Sequence, residues 1–251
     1  MKKVEFSGTY AYRTDMGKVR TNNEDQAFVT LNENGEVLLI VCDGMGGANK
    51  GDLASKTALE SISASFLEKK KSHFKFGDSL WATKAIKEAN NKIFSMAEQN
   101  PVYKGMGTTL VMALLNGNRL MIVNLGDSRA YLDDGKELKQ MTKDQTYVQY
   151  LVSAGKITEE EALSHPDRHV LMNALGIYPS VSLTFGFYEY KGESILLCTD
   201  GLYNQIPPES IHNIISTNER VDQKVMSLIA EANSAGGSDN EGIAYWETIK
   251  E

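Results

Sequence analysis

Four aspartates stand where an apolar run begins or ends. The stretch "VLLIVCDGMGG" (37–47) puts Asp43 after six apolar residues and before three glycines in four positions. "MIVNLGDSRAY" puts Asp127 after another such run and next to Gly126, and "SILLCTDGLYN" puts Asp200 after a third, with Gly201 following. "GGSDNEGIAYW" puts Asp239 just before a strand-like run, shortly after Gly236 and Gly237. A carboxylate at the end of a buried strand is costly to desolvate. Several together repel and raise one another's pKa values unless a cation sits among them. Hard divalent cations such as Mg²⁺ and Mn²⁺ take oxygen ligands. Glycine lets the backbone approach closely and offers its carbonyl as a further ligand. An Asp-Gly turn is the plainer reading of any one of these ends. Their recurrence predicts a metal.

The elements that must position these acids are mostly short strands. Runs at 9–14, 26–31, 37–42, 108–115, 119–124, 129–132, 181–190, 194–198 and 242–248 have strand character. "NENGE" (32–36), "NGN" (116–118) and "DDGK" (133–136) are hairpin turns, which predicts antiparallel sheets rather than βαβ units. Between the third and fourth strands, Leu53, Ala54, Thr57, Ala58, Ile62 and Phe66 recur at helical spacing. A second helical pattern runs through Leu80, Trp81, Ala85, Ile86, Ala89, Ile93, Phe94 and Ala97. Another helix pair follows Pro207-Pro208, its second member carrying Val225, Met226, Leu228, Ile229 and Ala232. Paired strand blocks and paired helix blocks predict two packed sheets with helices outside. The segment 142–176 is polar, holds a capping box at Thr158 and Glu161, and reads as an insertion standing over something. The chain shows no internal repeat or low-complexity linker, so residues 1–251 are expected to form one domain.

Composition narrows the function. At 251 residues, 41% hydrophobic and 24% charged, the chain has the balance of a soluble globular protein. A net charge of -7 argues against a nucleic-acid backbone as partner. The one basic run, Lys69-Lys70-Lys71, reads as the solvated end of a helix. Cys42 and Cys198 lie inside apolar runs and are expected to be buried, reduced thiols. Histidines 73, 165, 169 and 212 have no zinc spacing. No apolar stretch has membrane-spanning length, and no signal-peptide core follows the opening Met-Lys-Lys. A cytoplasmic location is expected.

The motifs "RTNNED" (20–25), "CDGMGGANKGDLAS" (42–55), "GMGTTLV" (105–111), "NLGDSRAYL" (124–132), "CTDGLYN" (198–204) and "SDN" (238–240) occur in that order. From about residue 13 to residue 245, the chain resembles the metal-dependent serine/threonine protein phosphatases of type 2C, in their bacterial form. The insertion resembles that family's flap through "LVSAGKITEEEALSHPDRHVL". The resemblance implies an α+β sandwich of four layers, two antiparallel sheets flanked by helix pairs. It also implies a binuclear Mg²⁺ or Mn²⁺ centre at one edge. Asp43 would bridge both ions, with the Gly44 carbonyl on the first and Asp200 and Asp239 on the second. Asp127 would join Asp200 at a weaker third ion. Glu24 would orient the attacking water, Arg20 would grip the substrate phosphate, and Asp25 would be structural or support the ligands. Two ions about 3.5–4 Å apart activate a water and stabilise phosphoryl charge without a covalent intermediate, and arginine supplies a bidentate phosphate contact. The plain readings are a solvated loop arginine for Arg20 and a helix cap or turn for Glu24.

The chain departs from the family at several points. Bacterial relatives usually have His where Ala48 stands, and eukaryotic relatives have it at the position of Met45, as a proposed general acid. Neither residue here transfers a proton. Water, His165 or His169 would then serve the leaving group, although both histidines also read as surface or structural. Gln145 replaces the usual His of "MTKDQT", and Glu241-Gly242 replaces the usual Thr or Ser after Asp239-Asn240. A haloacid-dehalogenase-type hydrolase needs Asp-x-Asp, but Met45 stands two residues after Asp43. A cysteine phosphatase needs Arg six residues after its Cys, and those positions are Ala48 and Asn204. A catalytically silent phosphoprotein-binding module using Arg20 is the remaining alternative. The expected partners are phosphorylated proteins, targets of a serine/threonine kinase, met by a monomer without nucleic acid or membrane.

Overall fold

The computed structural model describes residues 6–46, 50–72 and 74–249. Ala48 therefore lies outside the described residues. The chain begins with β1 (Gly8–Asp15), β2 (Asp25–Leu31), β3 (Val37–Met45), α1 (Gly51–Leu67) and α2 (Lys75–Gln99). A 3₁₀ turn at Pro101–Tyr103 leads to β4 (Gly107–Thr108), β5 (Leu110–Asn116), β6 (Arg119–Leu125), β7 (Arg129–Asp133) and β8 (Leu138–Gln140). Then come α3 (Tyr147–Ser153), α4 (Glu159–Ser164), β9 (Thr184–Glu189) and β10 (Ser194–Cys198). The chain closes with α5 (Asp200–Tyr203), α6 (Pro208–Ile215), α7 (Val221–Ala235) and β11 (Glu241–Thr248). One sheet has the order β1-β11-β10-β7-β8 and the other β2-β3-β5-β6-β9, with β4 attached to β3. The named pairs are antiparallel, as the hairpin turns require.

The unbroken apolar run of β3 has a simple cause: both its faces are covered. Leu38, Ile40 and Cys42 point to α1 and α2, packing with Ala58, Ile62, Ile86 and Ile93. Val37, Leu39 and Val41 point the other way and meet Ile195, Leu197, Ala244 and Trp246 of the second sheet. That sheet's outer face, with Leu196, Cys198, Ile243 and Tyr245, is covered by Leu202, Ile211, Val225 and Leu228. Three apolar cores thus alternate with four layers, the α+β sandwich that the resemblance implied. Cys42 and Cys198 are buried and free. Among the described residues, no helix is long and apolar enough to cross a membrane.

Three sequence readings change. The strand expected from 181 starts at Thr184, because the Ser182 carbonyl accepts from the Asn173 side chain rather than from a neighbouring strand. The short β8 was not expected, being only three residues long and mostly exposed. Lys69 is not solvated. Its Nζ lies 2.8 Å from Glu36 Oε1 and 3.0 Å from Asp78 Oδ1, with 1% of the lysine side chain exposed. Asn32 donates to Glu36 and Arg119 to Asp78. This buried network joins the start of β3, the end of α1 and the start of α2.

Candidate metal centre

Antiparallel pairing explains why the four acids meet at one end of the sandwich. The end of β3 lies opposite the start of β2, so Asp43 and Asp25 are cross-strand partners. β6 ends opposite the start of β5, and the turn from β6 to β7 carries Gly126 and Asp127. β10 ends with Cys198 opposite both Arg129 and Ile243. Asp200 opens α5 from there, and Asp239 directly precedes β11. Two glycines are required by crossing backbones. A Cβ on Gly44 would stand 2.2 Å from the Gly51 carbonyl oxygen, and one on Gly201 would stand 1.9 Å from that of Asn240.

The carboxylates perturb one another. Burial pushes Asp43 well above the usual carboxylate range, and Asp25, Asp200, Asp127 and Asp239 push it further. Asp25 is raised by burial, then by Asp200 and Asp239, with a Thr199 hydrogen bond and Arg20 opposing. Burial and then Asp200 bring Asp127 to about 7, and burial and then Asp239 bring Asp200 to about 6. Among the described residues, no three His, Cys, Asp or Glu side chains are placed to hold an ion as they stand. The donor chemistry nevertheless fits a hard divalent cation: it is all oxygen, mutually repelling, and includes a buried Asp25 Oδ2 without a hydrogen-bond partner.

A stability prediction follows. Folded Asp127 and Asp200 keep protons that the unfolded chain releases near pH 4, so unfolding releases protons above that pH. Stability of the metal-free protein should therefore fall from about pH 4 to about pH 7. Melting in EDTA across this range is the test, and an Asp127→Asn, Asp200→Asn double variant should give a flatter profile.

Hydrogen bonds place the individual acids. Thr109 Oγ1 accepts from the Asp43 amide at 2.9 Å, and the Thr109 amide donates to the Asp43 carbonyl at 2.8 Å. The hydroxyls of Thr109 and Ser128 are 2.7 Å apart, tying β3's end to the residue after Asp127. Asn240 Oδ1 accepts from the Glu24 amide, while its Nδ2 donates to the carbonyls of Met16 and Asn22. The loop carrying Arg20 and Glu24 is thereby stapled to β11. Arg20 Nη2 lies 2.7 Å from Asp239 Oδ2, with about half of the arginine side chain exposed at 54%. Glu24 is half-buried; its carboxylate lies against Gly51 at the start of α1, so the helix-terminus reading describes its surroundings. Burial and then Asp52 raise its pKa, against the Gly51 hydrogen bond and Arg20. The Tyr203 hydroxyl donates to the Asp127 carbonyl at 3.0 Å, and the Arg129 guanidinium stacks 3.5 Å above the Tyr203 ring.

Thr109, Asn240, Ser128 and Tyr203 carried no assigned role in the sequence, although each lies inside a quoted motif. Met45 pairs with Gly107 in β4 and has no titratable group. His165 Nδ1 accepts from the Asp167 amide at 3.1 Å, a structural contact within its own turn, and His169 is exposed. Glu241 is fully buried opposite Asp15, with both carboxyl oxygens unpartnered in hydrogen bonds. Burial, with Asp15 adding to it, pushes Glu241 up to about 8.

The family described as Protein phosphatase 2C matches residues 17–234. "Serine/threonine phosphatase stp" of Listeria monocytogenes is 37% identical over 230 residues, 91% of this chain and 91% of its own length. "Serine/threonine protein phosphatase PstP" of Mycobacterium tuberculosis is 40% identical over 252 residues, 99% of this chain and 46% of its own length. The crystal structure of the catalytic domain of PstP "in complex with 2 Manganese ions" matches with a TM-score of 0.84 at 35% identity, covering 97% of this chain and 99% of that one.

Proposed function

Since this chain belongs to the protein phosphatase 2C family, and is with it a metal-dependent serine/threonine protein phosphatase, we propose that it works through a binuclear Mn²⁺ or Mg²⁺ centre. The raised pKa values of Asp43, Asp127 and Asp200 at one end of the sandwich, with Asp239 among the charges that raise Asp43 and Asp200, carry this reading. Asp43, the Gly44 carbonyl, Asp200 and Asp239 hold two ions, and Asp127 with Asp200 holds a weaker third. The two manganese ions in the structure of the PstP catalytic domain support the number two. When bound, such a pair activates a water for attack and stabilises charge on the phosphoryl oxygens.

The chain's own groups do the rest. Arg20 uses Nη2 on Asp239, and its guanidinium has further donors for the substrate phosphate. Glu24, fixed at the start of α1, orients the attacking water. Protonation of the leaving serine or threonine oxygen falls to solvent in this reading: Met45 and Ala48 have no titratable group, His165 Nδ1 is engaged in its own turn and His169 is exposed. Residues 1–251 act as one catalytic domain, with 142–176 as a flap. Its substrates are phosphorylated proteins made by a serine/threonine kinase, met in the cytoplasm by a monomer.

Hydrolysis of p-nitrophenyl phosphate and a phosphothreonine peptide with Mn²⁺, with Mg²⁺ and with EDTA tests this. Turnover that requires metal supports it. A folded protein that binds metal and turns over neither substrate is the silent phosphoprotein-binding module instead. Replacing 142–176 by a relative's flap should change the ranking of phosphopeptides by kcat/KM and leave p-nitrophenyl phosphate hydrolysis within about threefold. An unchanged peptide ranking removes the flap from substrate choice.

A further inference from the structure

Gln145 stands where the flap joins the body, and its side chain is bonded on every side. Nε2 donates to the Asn124 carbonyl at 3.0 Å and to Thr184 Oγ1 at 3.2 Å. Oε1 accepts from Asn173 Nδ2 at 2.8 Å and from the Gly126 amide at 3.4 Å. The backbone repeats the pattern: the Gln145 amide donates to the Gly126 carbonyl, and the Gln145 carbonyl accepts from the Met172 amide. Gln145 thus touches the β6–β7 turn that carries Asp127, the returning limb of the flap, by its backbone at Met172 and its side chain at Asn173, and the first residue of β9. The returning limb continues to Leu175, which exchanges backbone hydrogen bonds with Thr108, whose hydroxyl donates to the Asp43 carbonyl. A separate contact holds the neighbouring residue: Asp144 is paired with Arg129 at 2.7 Å.

Resting on the metal-centre reading above, we propose that Gln145 is a positioning residue that couples the flap to the Asp127 turn. The amide oxygen accepts from both the flap, at Asn173, and the turn, at the Gly126 amide, while Nε2, donating to the Asn124 carbonyl of β6 and to Thr184 of β9, fixes the orientation in which it can do so, so moving either partner breaks bonds to the other. Coupling of this kind is reciprocal: whatever orders the Asp127 turn orders the flap, and the reverse. Glutamine suits the task because it is donor and acceptor at once, and neither aliphatic nor acidic residues are. The Asp144–Arg129 pair keeps the root of the segment attached when the amide is changed.

Amide hydrogen exchange on the full chain, without metal and with saturating Mn²⁺, tests the coupling in wild type, Gln145→Leu and Gln145→Glu. In wild type, Mn²⁺ should slow exchange both in 124–129 and in 165–176. In Gln145→Leu, exchange in 165–176 should rise about tenfold or more, and Mn²⁺ should still protect the turn but no longer the flap. Gln145→Glu keeps the acceptor for Asn173 and Gly126 and loses both donated bonds, so its flap exchange should fall between the other two. A flap that Mn²⁺ protects equally in wild type and Gln145→Leu overturns the proposal, as does a wild-type flap indifferent to Mn²⁺ that is bound at the turn. If Mn²⁺ does not bind at all, the metal-centre reading fails. The metal-free comparison still judges Gln145, since an unchanged flap in Gln145→Leu rejects it.

Discussion

Asp43→Asn should lower kcat/KM for a phosphothreonine peptide by at least about a thousandfold, equivalent to about 4 kcal/mol of transition-state stabilisation. Asp43 is the acid that feels each of Asp25, Asp127, Asp200 and Asp239, so it is the member common to the whole cluster. Asparagine has the same shape and leaves the backbone bonds to Thr109 in place. It removes one charge and one anionic oxygen donor, which a hard divalent cation needs. Loss of activity by misfolding predicts the opposite thermal behaviour. With one repelling carboxylate fewer, the metal-free variant should melt at or above the wild-type temperature at pH 7.5, while the stabilisation of wild type by Mn²⁺ should be lost. Activity with Mn²⁺ and melting with and without it are the measurements. A variant that keeps a tenth of the wild-type rate would remove Asp43 from the centre of the mechanism.

The acids were legible because their cost is local. An aspartate after six apolar residues conflicts with its own neighbours, and the conflict calls for a cation before any fold is known. The layers were legible for the same reason, since hairpin turns and helical spacing are written within short windows. The supports were not. Thr109 reaches Asp43 across 66 positions, and Asn240 reaches Glu24 across 216. Nothing near Thr109 or Asn240 in sequence shows that a partner is waiting. Glu24 illustrates the limit from the other side: its motif implied work on water, while its observed contacts are those of an acid at a helix start. Both roles use the same carboxylate, and only its distance from the other acids in space distinguishes them from a turn. Burial of Lys69 is not legible in the sequence, because a basic run at a helix end is usually solvated. Its partners, Glu36 and Asp78, lie in other elements.

The Lys69 network carries the largest stability effect expected outside the metal centre. Lys69→Met should destabilise the fold by about 3–5 kcal/mol, because it leaves Glu36 and Asp78 buried without their shared cation. In a domain of this size the melting temperature should fall by about 6–20 °C. Arg119 still meets Asp78, but Glu36 retains only the neutral Asn32 amide among its side-chain contacts described above. Glu36 takes the larger share of the loss. Lys70→Met is the control one residue away: Lys70 is exposed, and its variant should stay within about 0.5 kcal/mol of wild type. Because Glu36 precedes β3 and Asp43 lies near β3's far end, the two sites are separated by the length of the strand. Below its melting range, Lys69→Met should therefore keep kcat/KM within about twofold of wild type. Thermal melts of the two variants decide the matter. If they behave alike, the buried network contributes no net stability. If Lys69→Met also loses activity while folded, the strand transmits a disturbance from one end of the sandwich to the other.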